Sequence, residues 1–389
     1  MNPTQAKDFT PGEGFLAASL ELSKGSWKIA LHDGKRDKPA IHTVASEPAA
    51  KRLTDAAAII EATKKKWGLP EKTRTVISYE AGQDGFWIQR ALSDLGYEAL
   101  IVDPASIPVE RQARRAKTDR LDAIKLVNCL LAWLRGERDR MHVIRVPGAE
   151  AEAQRHLARD RGELQKEIGQ HRDRIRKLLR TVGCWDSVEG KFAKRLKQGD
   201  VCCHDGQPLP ALMKARLERE CVRMALAETQ LAALEKGMIE ALPEEVGGRI
   251  GQLMQLKAVG RTGAFRLVLE LYWRNFDNRR QVGACVGLAP QPYDSGESRV
   301  DQGISKQGNR RVRALLIEMA WFWLRYQPGS ALSKWFAQRT GGAGQNKRGK
   351  RIAIVAVARR LAIALWRYLQ DGVIPEGAEL KVMAEPEAA

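Results

Sequence analysis

The sequence contains no apolar run long enough to span a bilayer, although 44% of its 389 residues are hydrophobic. A membrane-spanning helix needs about 20 consecutive apolar residues. The N-terminal stretch MNPTQAKDF also lacks the apolar segment of a secretory signal. We therefore expect a cytoplasmic protein with no membrane partner, and its length is sufficient for two or three domains.

The chain is also poor in cysteine. None of its six cysteines follows the spacing of a disulfide framework, which agrees with a reducing compartment. The segment Cys202-Cys203-His204 resembles part of a zinc site, but adjacent cysteines chelate one tetrahedral ion poorly and no CxxC partner is present. A zinc centre is therefore disfavoured.

Acidic residues are outnumbered by basic ones, 47 against 65, which gives a net charge of +18 and a pI near 9.8. Such a chain can bind a phosphate backbone with release of counterions, although ribosomal and membrane-surface proteins are equally basic. Three local clusters of basic residues favour a long polyanion as the partner. The clusters are Arg111, Arg114, Arg115, Lys117 and Arg120, then Arg310, Arg311 and Arg313, and finally Lys347, Arg348, Lys350 and Arg351.

The first third of the chain alternates extended and helical patterns. Hydrophobic spacing predicts three strands, then helix, strand, helix, strand and helix. These elements cover residues 15–21, 27–31, 41–45, 56–67, 75–79, 86–95 and 99–102, and the last helix begins near Lys117. This order is typical of the RNase H-like fold, in which helices cover a mixed sheet and a metal site lies beside the first and fourth strands. We therefore predict an α/β domain over residues 1–146.

Four carboxylates occupy the positions where such a site would form. Glu21 and Glu80 end the first and fourth predicted strands, and Asp119 and Asp122 lie three residues apart on one helix face in the segment KTDRLDA. Converging carboxylates bind magnesium, and two such ions about 4 Å apart clamp the attacking and leaving oxygens of a phosphodiester. Taken singly, each acidic residue also has a structural interpretation, because helix dipoles favour acids near a helix start. The set in this order favours the metal site.

Two long charged stretches after Pro147-Gly148 carry apolar residues at steps of seven and four, which approximates a heptad seam. The apolar positions are Leu157, Leu164, Ile168, Ile175 and Leu179 in the first stretch and Leu217, Cys221, Met224, Leu231, Leu234 and Met238 in the second. They predict a helical, coiled-coil region over residues 147–247. The pattern fits an antiparallel hairpin, arms that pair with another protomer, or the core of an ordinary bundle.

The segment that begins at Leu253, LMQLKAVGRTGAFRLVLEL, resembles a helix-hairpin-helix element with its turn at Val259-Gly260-Arg261. Glycine permits a close backbone approach in such a turn, and amides at the second helix start can hold a phosphate. A plain helix-turn-helix packing unit is the alternative.

A loop and an arginine-bearing helix follow. Pro290, Pro292 and Gly296 keep Ser295 out of regular helix, so its hydroxyl could lie on an exposed loop. Lys306 and Asn309 then lead into the helix with the second basic cluster, a layout that could bring a hydroxyl and guanidinium groups to one phosphate. On composition alone, a turn residue is the simpler interpretation of Ser295.

Six sequence pieces occur in a characteristic order between about residues 15 and 330: ELSK, YEAG, KTDRLDA, LKAVGRTGA, VGLAPQPYDSG and ISKQGNRRVR. With them the chain resembles the DEDD transposases of insertion-sequence family one-ten, including its subgroup eleven-eleven. KTDRLDA and the SG…ISKQGN block are the most specific pieces.

The resemblance implies a RuvC-like N-terminal domain, a coiled-coil connection and a mostly helical transposase domain over residues 248–372. It assigns Glu21, Glu80, Asp119 and Asp122 to a magnesium site and makes Ser295 a nucleophile. It further implies an enzyme that excises and inserts its element through a circular intermediate, with donor and target DNA selected by a structured noncoding guide RNA. Gly260, Arg261, Lys306 and Asn309 join the basic clusters as expected nucleic-acid contacts.

One position departs from the family pattern, because the family usually has aspartate where this chain has Glu21. Glutamate keeps the charge and both oxygens but reaches one methylene farther. It can therefore ligate magnesium only if the strand or the metal shifts slightly.

The predicted serine and carboxylates lie in different domains. They could therefore come from different protomers, which would make a dimer or tetramer obligatory for strand exchange. Two other functions are compatible with the same residues. A metal-only RNase H-like nuclease, such as a junction resolvase, would not need Ser295, and a non-catalytic nucleic-acid binder would need neither set. Residues 373–389 contain four glutamates and predict a flexible acidic tail.

Overall fold

The structure, a computed structural model, describes residues 14–108, 118–238, 240–295, 298–341 and 347–381. The side chains of residues 105, 294, 295 and 298–301 lie outside this description. The chain divides into two units, Met1–Gly148 and Ala149–Ala389. The predicted end of the α/β domain at residue 146 lies close to this division.

The first unit combines strands and helices in the predicted order. Its elements are β1 (Phe15–Leu22), β2 (Trp27–His32), β3 (Ala40–Val44), α1 (Ala49–Lys66), β4 (Arg74–Glu80), α2 (Trp87–Asp94), β5 (Glu98–Val102), a 3₁₀ turn (Pro104–Ser106), α3 (Asp119–Leu134) and β6 (Val143–Ile144). The sequence did not predict β6, because two apolar residues carry no readable periodicity.

These strands form one mixed sheet in the order β3-β2-β1-β4-β5-β6. β1, β2 and β3 pair antiparallel, whereas β4 lies parallel to both β1 and β5. Parallel neighbours need a crossover, and α2 provides it between β4 and β5. The carboxyl ends of β1, β4 and β5 consequently meet at one edge of the sheet.

Alternating side chains on β1 divide between two cores. Leu16, Ala18 and Leu20 are buried in a cluster that includes residues of α1 and α2. Phe15 and Ala17 are buried in a second cluster with residues of α3. Because side chains on a strand alternate between faces, α3 covers one face of the sheet and α1 with α2 covers the other.

The second unit is almost entirely helical. Its elements are α4 (Ala149–Arg180), α5 (Phe192–Gln198), α6 (Ala211–Gly237), α7 (Glu244–Met254), α8 (Arg261–Leu267) with a π-helical continuation (Val268–Tyr272), α9 (Arg279–Cys285), β7 (Pro290–Ser295), β8 (Ser298–Ile304), α10 (Arg310–Tyr326), α11 (Ala331–Thr340) and α12 (Lys347–Asp371). No helix among the described residues is both long enough and apolar enough to cross a membrane.

The two long helices α4 and α6 pack against each other in antiparallel fashion. Ile168 shares a buried cluster with Ala227. Nearer the start of α4, Arg161 Nη2 lies 2.6 Å from Glu235 Oε1 at the far end of α6. Of the three interpretations left open by the sequence, the structure therefore shows a helical hairpin within one chain. The supercoil of a true coiled coil and pairing with another protomer stay predictions.

The turn between α7 and α8 differs from the expected use of glycine. Gly260 has a φ of −88° and a ψ of 165°, which any residue adopts, and a Cβ built there meets nothing within 4 Å. The positive φ, 74°, belongs to Ala258. Neither the backbone conformation nor contact with other protein atoms therefore requires glycine at position 260, and its close approach to a phosphate stays a prediction.

The described part of the predicted flexible tail is bonded to this turn. The backbone amide of Lys257 donates to the carbonyl of Glu379, and that of Lys381 donates to Gln255. The buried Gln327 amide donates to the carbonyls of both Lys257 and Glu379. Residues through Lys381 thus belong to the second unit, since two backbone hydrogen bonds and the Gln327 side chain hold them there.

Candidate functional site

Glu21 and Glu80 lie side by side at the carboxyl edge of the sheet. The parallel register of β1 and β4 pairs Leu20 with Tyr79, so the next residues on the two strands are the two glutamates. Both are partly exposed. By strand alternation they share the face of Ala17, which is the face covered by α3.

A buried hydrogen bond fixes α3 over this edge. Ser19 Oγ, two residues before Glu21 on the same face, donates to the carbonyl oxygen of Ala123 at 2.6 Å. At the other end of α3, Arg135 Nη2 donates to Gly34 O at 3.4 Å, beside the start of β1. The helix therefore runs antiparallel to β1, and its first turn lies at the carboxyl edge.

Asp119 and Asp122 form that first turn. Thr118 caps the helix by accepting a hydrogen bond from Leu121 N at 3.3 Å, and acidic residues are favourable at this end of the helix dipole. Asp119 is exposed and Asp122 is partly exposed. All four predicted carboxylates thus lie on one face and at one edge of the sheet.

Two polar neighbours share this face. Lys28 on β2 pairs with Glu21 across the strands and donates from Nζ to Thr43 Oγ1 at 2.8 Å. Ser78 precedes Glu80 by two residues, and its buried hydroxyl has no hydrogen-bond partner. Neither residue was singled out from the sequence, because neither belongs to a motif and only the strand register brings them to the site.

The donor set suits a hard divalent cation, because it consists of carboxylate oxygens. Within the described ranges, no three His, Cys, Asp or Glu side chains gather closely enough to hold an ion by themselves. Magnesium is usually held by one or two carboxylates together with substrate phosphates. The arrangement fits a site that nucleic acid completes, and the assignment of all four carboxylates as ligands stays a prediction.

Ser295 is the last residue of β7 in the second unit. β7 and β8 form an antiparallel hairpin in which Ser295 pairs with Ser298. The sequence predicted an irregular loop around Ser295, whereas in the structure Ser295 ends a strand at the tip of this hairpin. Its backbone is extended, in agreement with the predicted exclusion from helix.

The segment that follows β8 is hydrogen-bonded to the base of the hairpin. Lys306 N donates to Gly287 O at 3.1 Å, and Asn309 N donates to Cys285 O at 3.1 Å. Gly287 has a φ of 67°, and a Cβ there would lie 1.9 Å from the carbonyl oxygen of Gln307. A side chain at Gly287 is therefore excluded both by conformation and by space.

Asn309 joins three elements through one side chain. Its Oδ1 accepts from Arg311 N and Val312 N and so caps α10. Its Nδ2 donates to Oε2 of the buried Glu270 in the π-helical turn at 3.1 Å. Arg313 Nη1 donates to the carbonyl of Val286 at 3.1 Å. These contacts show structural roles for Asn309 and Arg313, and their contact with nucleic acid stays a prediction.

The remaining predicted nucleic-acid contacts fall into three groups. Arg114, Arg115 and Lys117 lie outside the described residues. Arg261 donates to Glu235 O at 3.2 Å and Arg311 to Glu163 Oε1 at 2.9 Å, so both guanidinium groups also hold the second unit together. The others lie on exposed or partly exposed helix starts and loops: Arg120, Lys306, Arg310, Lys347, Arg348, Lys350 and Arg351.

An open cavity of about 470 Å³ lies beside the turn between α7 and α8. Phe322 and Tyr326 line it from α10, with ring centroids 6.4 Å apart in a stacked arrangement. Lys257 and Lys381 lie at its rim. This exposed aromatic pair could not be recognised from the sequence, because i and i+4 aromatics on a helix are also typical of a core.

Comparison with known families identifies two matching regions. Residues 35–183 match the DEDD transposase domain of the IS110 type, and residues 251–334 match the Transposase IS116/IS110/IS902 family. The first match begins after Glu21 and spans the other three carboxylates, and the second spans Ser295. A DEDD transposase domain implies an RNase H-like fold, an enzyme that cleaves and recombines DNA, and dependence on a divalent metal.

Several known transposases are similar to this chain over stretches of different length. A putative transposase, y4rJ, of Sinorhizobium fredii is 41% identical over 381 residues, which cover 95% of both chains. The transposase for insertion sequence element IS1533 of Leptospira borgpetersenii is 25% identical over 75% of this chain and 80% of its own. The transposase for IS1111A of Coxiella burnetii is 35% identical over 24% of this chain and 25% of its own. The chain therefore belongs to the IS110 family of transposases.

Proposed function

We propose that this transposase cuts, exchanges and rejoins DNA strands with two sets of residues, one in each unit. Glu21, Glu80, Asp119 and Asp122 hold divalent metal, which we take to be magnesium, and Ser295 is the nucleophile. The observation that carries the proposal is that the β1–β4 register and the Ser19 bond to Ala123 bring the ends of both strands and the first turn of α3 to one edge of the sheet.

The bound metal supplies a Lewis acid that polarises the scissile phosphate. Ser295 Oγ attacks the phosphorus, forms a serine–phosphate ester, and the bond from phosphorus to the leaving deoxyribose oxygen breaks. The serine proton passes to a base, and the leaving oxygen takes up a proton. A hydroxyl of the exchanged strand then attacks the ester, which rejoins the DNA and releases the serine.

Basic side chains at the acidic edge explain how the site tolerates an anionic substrate. Lys28 shares the face of Glu21, and Arg120 lies exposed in the first turn of α3 beside Asp119 and Asp122. Basic groups at the edge offset the repulsion between carboxylates and phosphates. The net charge of +18 supports binding of long polyanions by the rest of the surface.

A structured noncoding RNA encoded by the element is the proposed guide to donor and target DNA. The exposed start of α12, with Lys347, Lys350 and Arg351, supports this role because such lysines and arginines read phosphate positions without reading sequence. Sequence choice would then reside in RNA–DNA pairing. The active form is a dimer or tetramer, so that carboxylates and serine from different protomers can meet on one strand. The protein acts in the cytoplasm, on the nucleoid.

The experiment compares cleavage of labelled donor DNA by the complex of protein and element RNA, with and without magnesium. Glu80→Gln should abolish cleavage, whereas Glu71→Gln should leave it intact, because Glu71 is exposed in the turn before the opposite end of β4. Cleavage that survives Glu80→Gln, or that is independent of added divalent metal, would refute the metal site.

A metal-only nuclease differs in one outcome of the same experiment. It would keep magnesium-dependent cleavage in Ser295→Ala, whereas the proposed recombinase would lose it. A non-catalytic binder would cleave in neither case but would still retain DNA at low salt.

A further inference from the structure

Three side chains of the second unit form a cluster that no part of the proposed mechanism uses. Arg155 lies on α4, and Trp273 and Arg274 follow the π-helical turn. The guanidinium carbon of Arg155 lies 5.4 Å from the Trp273 ring centroid, and that of Arg274 lies 5.0 Å from it. Both arginines therefore meet at one indole.

The cluster is rich in donors that have no acceptor. The Nε atoms of Arg155 and Arg274 and the Nε1 atom of Trp273 are all buried, and none has a hydrogen-bond partner. Buried N–H groups are almost always paired, because an unpaired one loses its bond to water without replacement. Orphaned arginine Nε atoms also occur elsewhere in the described chain, but here two of them and an indole N–H belong to side chains in mutual contact and are available to one added acceptor.

Charge at the cluster points the same way. Burial lowers the pKa of Arg155, and the adjacent guanidinium groups of Arg159 and Arg274 lower it further. The carboxylates of Glu270 and Glu152 raise the pKa of Arg155 and so oppose this effect. Glu270 already accepts a hydrogen bond from Asn309. An additional anion would relieve the repulsion among three like charges.

The cluster is joined to the base of the β7–β8 hairpin. Arg274 Nη1 donates to Cys285 Sγ at 3.2 Å. The carbonyl of the same Cys285 accepts the backbone amide of Asn309, which caps α10 and leads away from the hairpin. A ligand held by Arg274 would therefore be fixed relative to the strand that carries Ser295.

We propose that Arg155, Trp273 and Arg274 bind one phosphate of a nucleic-acid backbone. A phosphodiester offers two anionic oxygens and no donor, which complements a set of guanidinium and indole N–H groups. The inference rests on the proposed function for its ligand class. It adds a contact to the nucleic-acid backbone that positions the bound nucleic-acid strand near the β7–β8 hairpin. This contact is separate from the carboxylates of the first unit.

Salt dependence tests the contact, because each neutralised phosphate contributes about 0.9 to the slope of log K against log salt for duplex DNA and about 0.7 for single strands. Binding of a labelled DNA duplex and of a structured RNA is measured across a salt series. Arg155→Gln and Arg274→Gln should each lower the slope by about this amount for the polyanion that occupies the site. Arg176→Gln is the matched control, since Arg176 is partly exposed on α4 and pairs with Asp173 and Glu189.

Trp273→Phe separates the contact from a packing role. The phenyl ring keeps an apolar surface for both arginines but lacks the indole N–H, so affinity should fall several-fold while the salt slope stays unchanged. It also provides a variant that folds if the arginine substitutions do not. An unchanged affinity in this variant would overturn the indole's part in the site.

Unchanged slopes in both arginine variants overturn the inference, even where affinity falls, because a purely structural cluster alters folding without releasing counterions. Loss of self-association without a change in slope would show instead that a partner's carboxylate fills the cluster, which also overturns it. If the wild type cleaves DNA and these slopes do not change, only this inference fails. If the wild type binds no nucleic acid, the proposed function fails with it.

Discussion

Ser19 is a single residue on which the geometry of the carboxylate edge depends. Its hydroxyl holds Ala123 and thereby the turn that carries Asp122. We expect Ser19→Ala to lower the free energy of unfolding by about 1 kcal/mol, because the buried hydrogen bond between β1 and α3 is lost. Ser78→Ala is the control, since that hydroxyl has no partner and its loss should cost little. Urea unfolding measures the free energy of unfolding of both variants. Equal decreases in the two variants would contradict the role of Ser19.

Substitutions at Glu21 test whether glutamate can replace the aspartate that the family usually has at this position. Glu21→Asp should retain magnesium-dependent cleavage, because aspartate keeps the charge in the family's usual form. Glu21→Gln should lower the cleavage rate about 100-fold or more, as expected for loss of one electrostatic partner of the transition state. Single-turnover cleavage measures both. Full activity in Glu21→Gln would remove this residue from the site.

At the residue scale, the sequence predicted the positions of residues that lie in motifs or at the ends of strands. The positions of Glu80 at a strand end and Asp119 at a helix start could be predicted, because hydrophobic periodicity marks the ends of strands and helices. The cluster of Arg155, Trp273 and Arg274 was not, because residues distant in the chain meet there only through tertiary packing. Ser78 and Lys28 required the strand register for the same reason.

Asn309 shows how one side chain organises elements. It caps α10 and also donates to Glu270, whereas Asn278 only caps α9. We expect Asn278→Ala to cost about 1 kcal/mol, a typical value for a cap. Asn309→Ala should cost about 1 to 3 kcal/mol more, since it also leaves a buried carboxylate without its donor. Unfolding midpoints measure the difference, and equal costs would show that the Glu270 contact contributes nothing.

The α4–α6 hairpin carries a pH-dependent contact. Burial alone would raise the pKa of Glu220, but hydrogen bonds from His171 and Arg174 outweigh it and hold the pKa below its ordinary value of 4.5. A depressed carboxyl contributes stability above its unfolded-state pKa and loses it as the pH falls through the folded-state pKa. Glu220→Gln should therefore be less stable than wild type at pH 7, and the gap should close below pH 4.5.

The exposed Glu228 on the same helix provides the control for this effect. The free energies of unfolding of Glu228→Gln and wild type should differ by close to zero across the same pH range, because exposed ion pairs contribute little. A gap between Glu220→Gln and wild type that is independent of pH would contradict the proposed cause.

At the element scale, strand alternation and helical spacing predicted the order of the first unit, and that order is confirmed. Local pattern did not predict the turn conformation at Ala258 or the bonding of residues through Lys381. In both places backbone groups far apart in sequence decide the conformation, and no periodic signal records them.

The whole molecule separates its carboxylates and its serine into two units. If sites are assembled from different protomers, a mixture of Glu80→Gln and Ser295→Ala proteins contains oligomers with one complete site. Partial strand exchange should then return, although each variant alone is inactive. Separately inactive proteins that stay inactive when mixed, despite forming mixed oligomers, would show that each site is built within one protomer.

The measurement that bears most directly on the central claim is the formation of a covalent protein–DNA adduct. Purified protein is incubated with element RNA, magnesium and labelled donor and target DNA, then denatured and separated by size. We expect a labelled adduct with wild type, none with Ser295→Ala, and none with Glu80→Gln. An adduct that persists in Ser295→Ala, or magnesium-dependent cleavage in wild type without any adduct, would contradict serine-based strand exchange by this transposase.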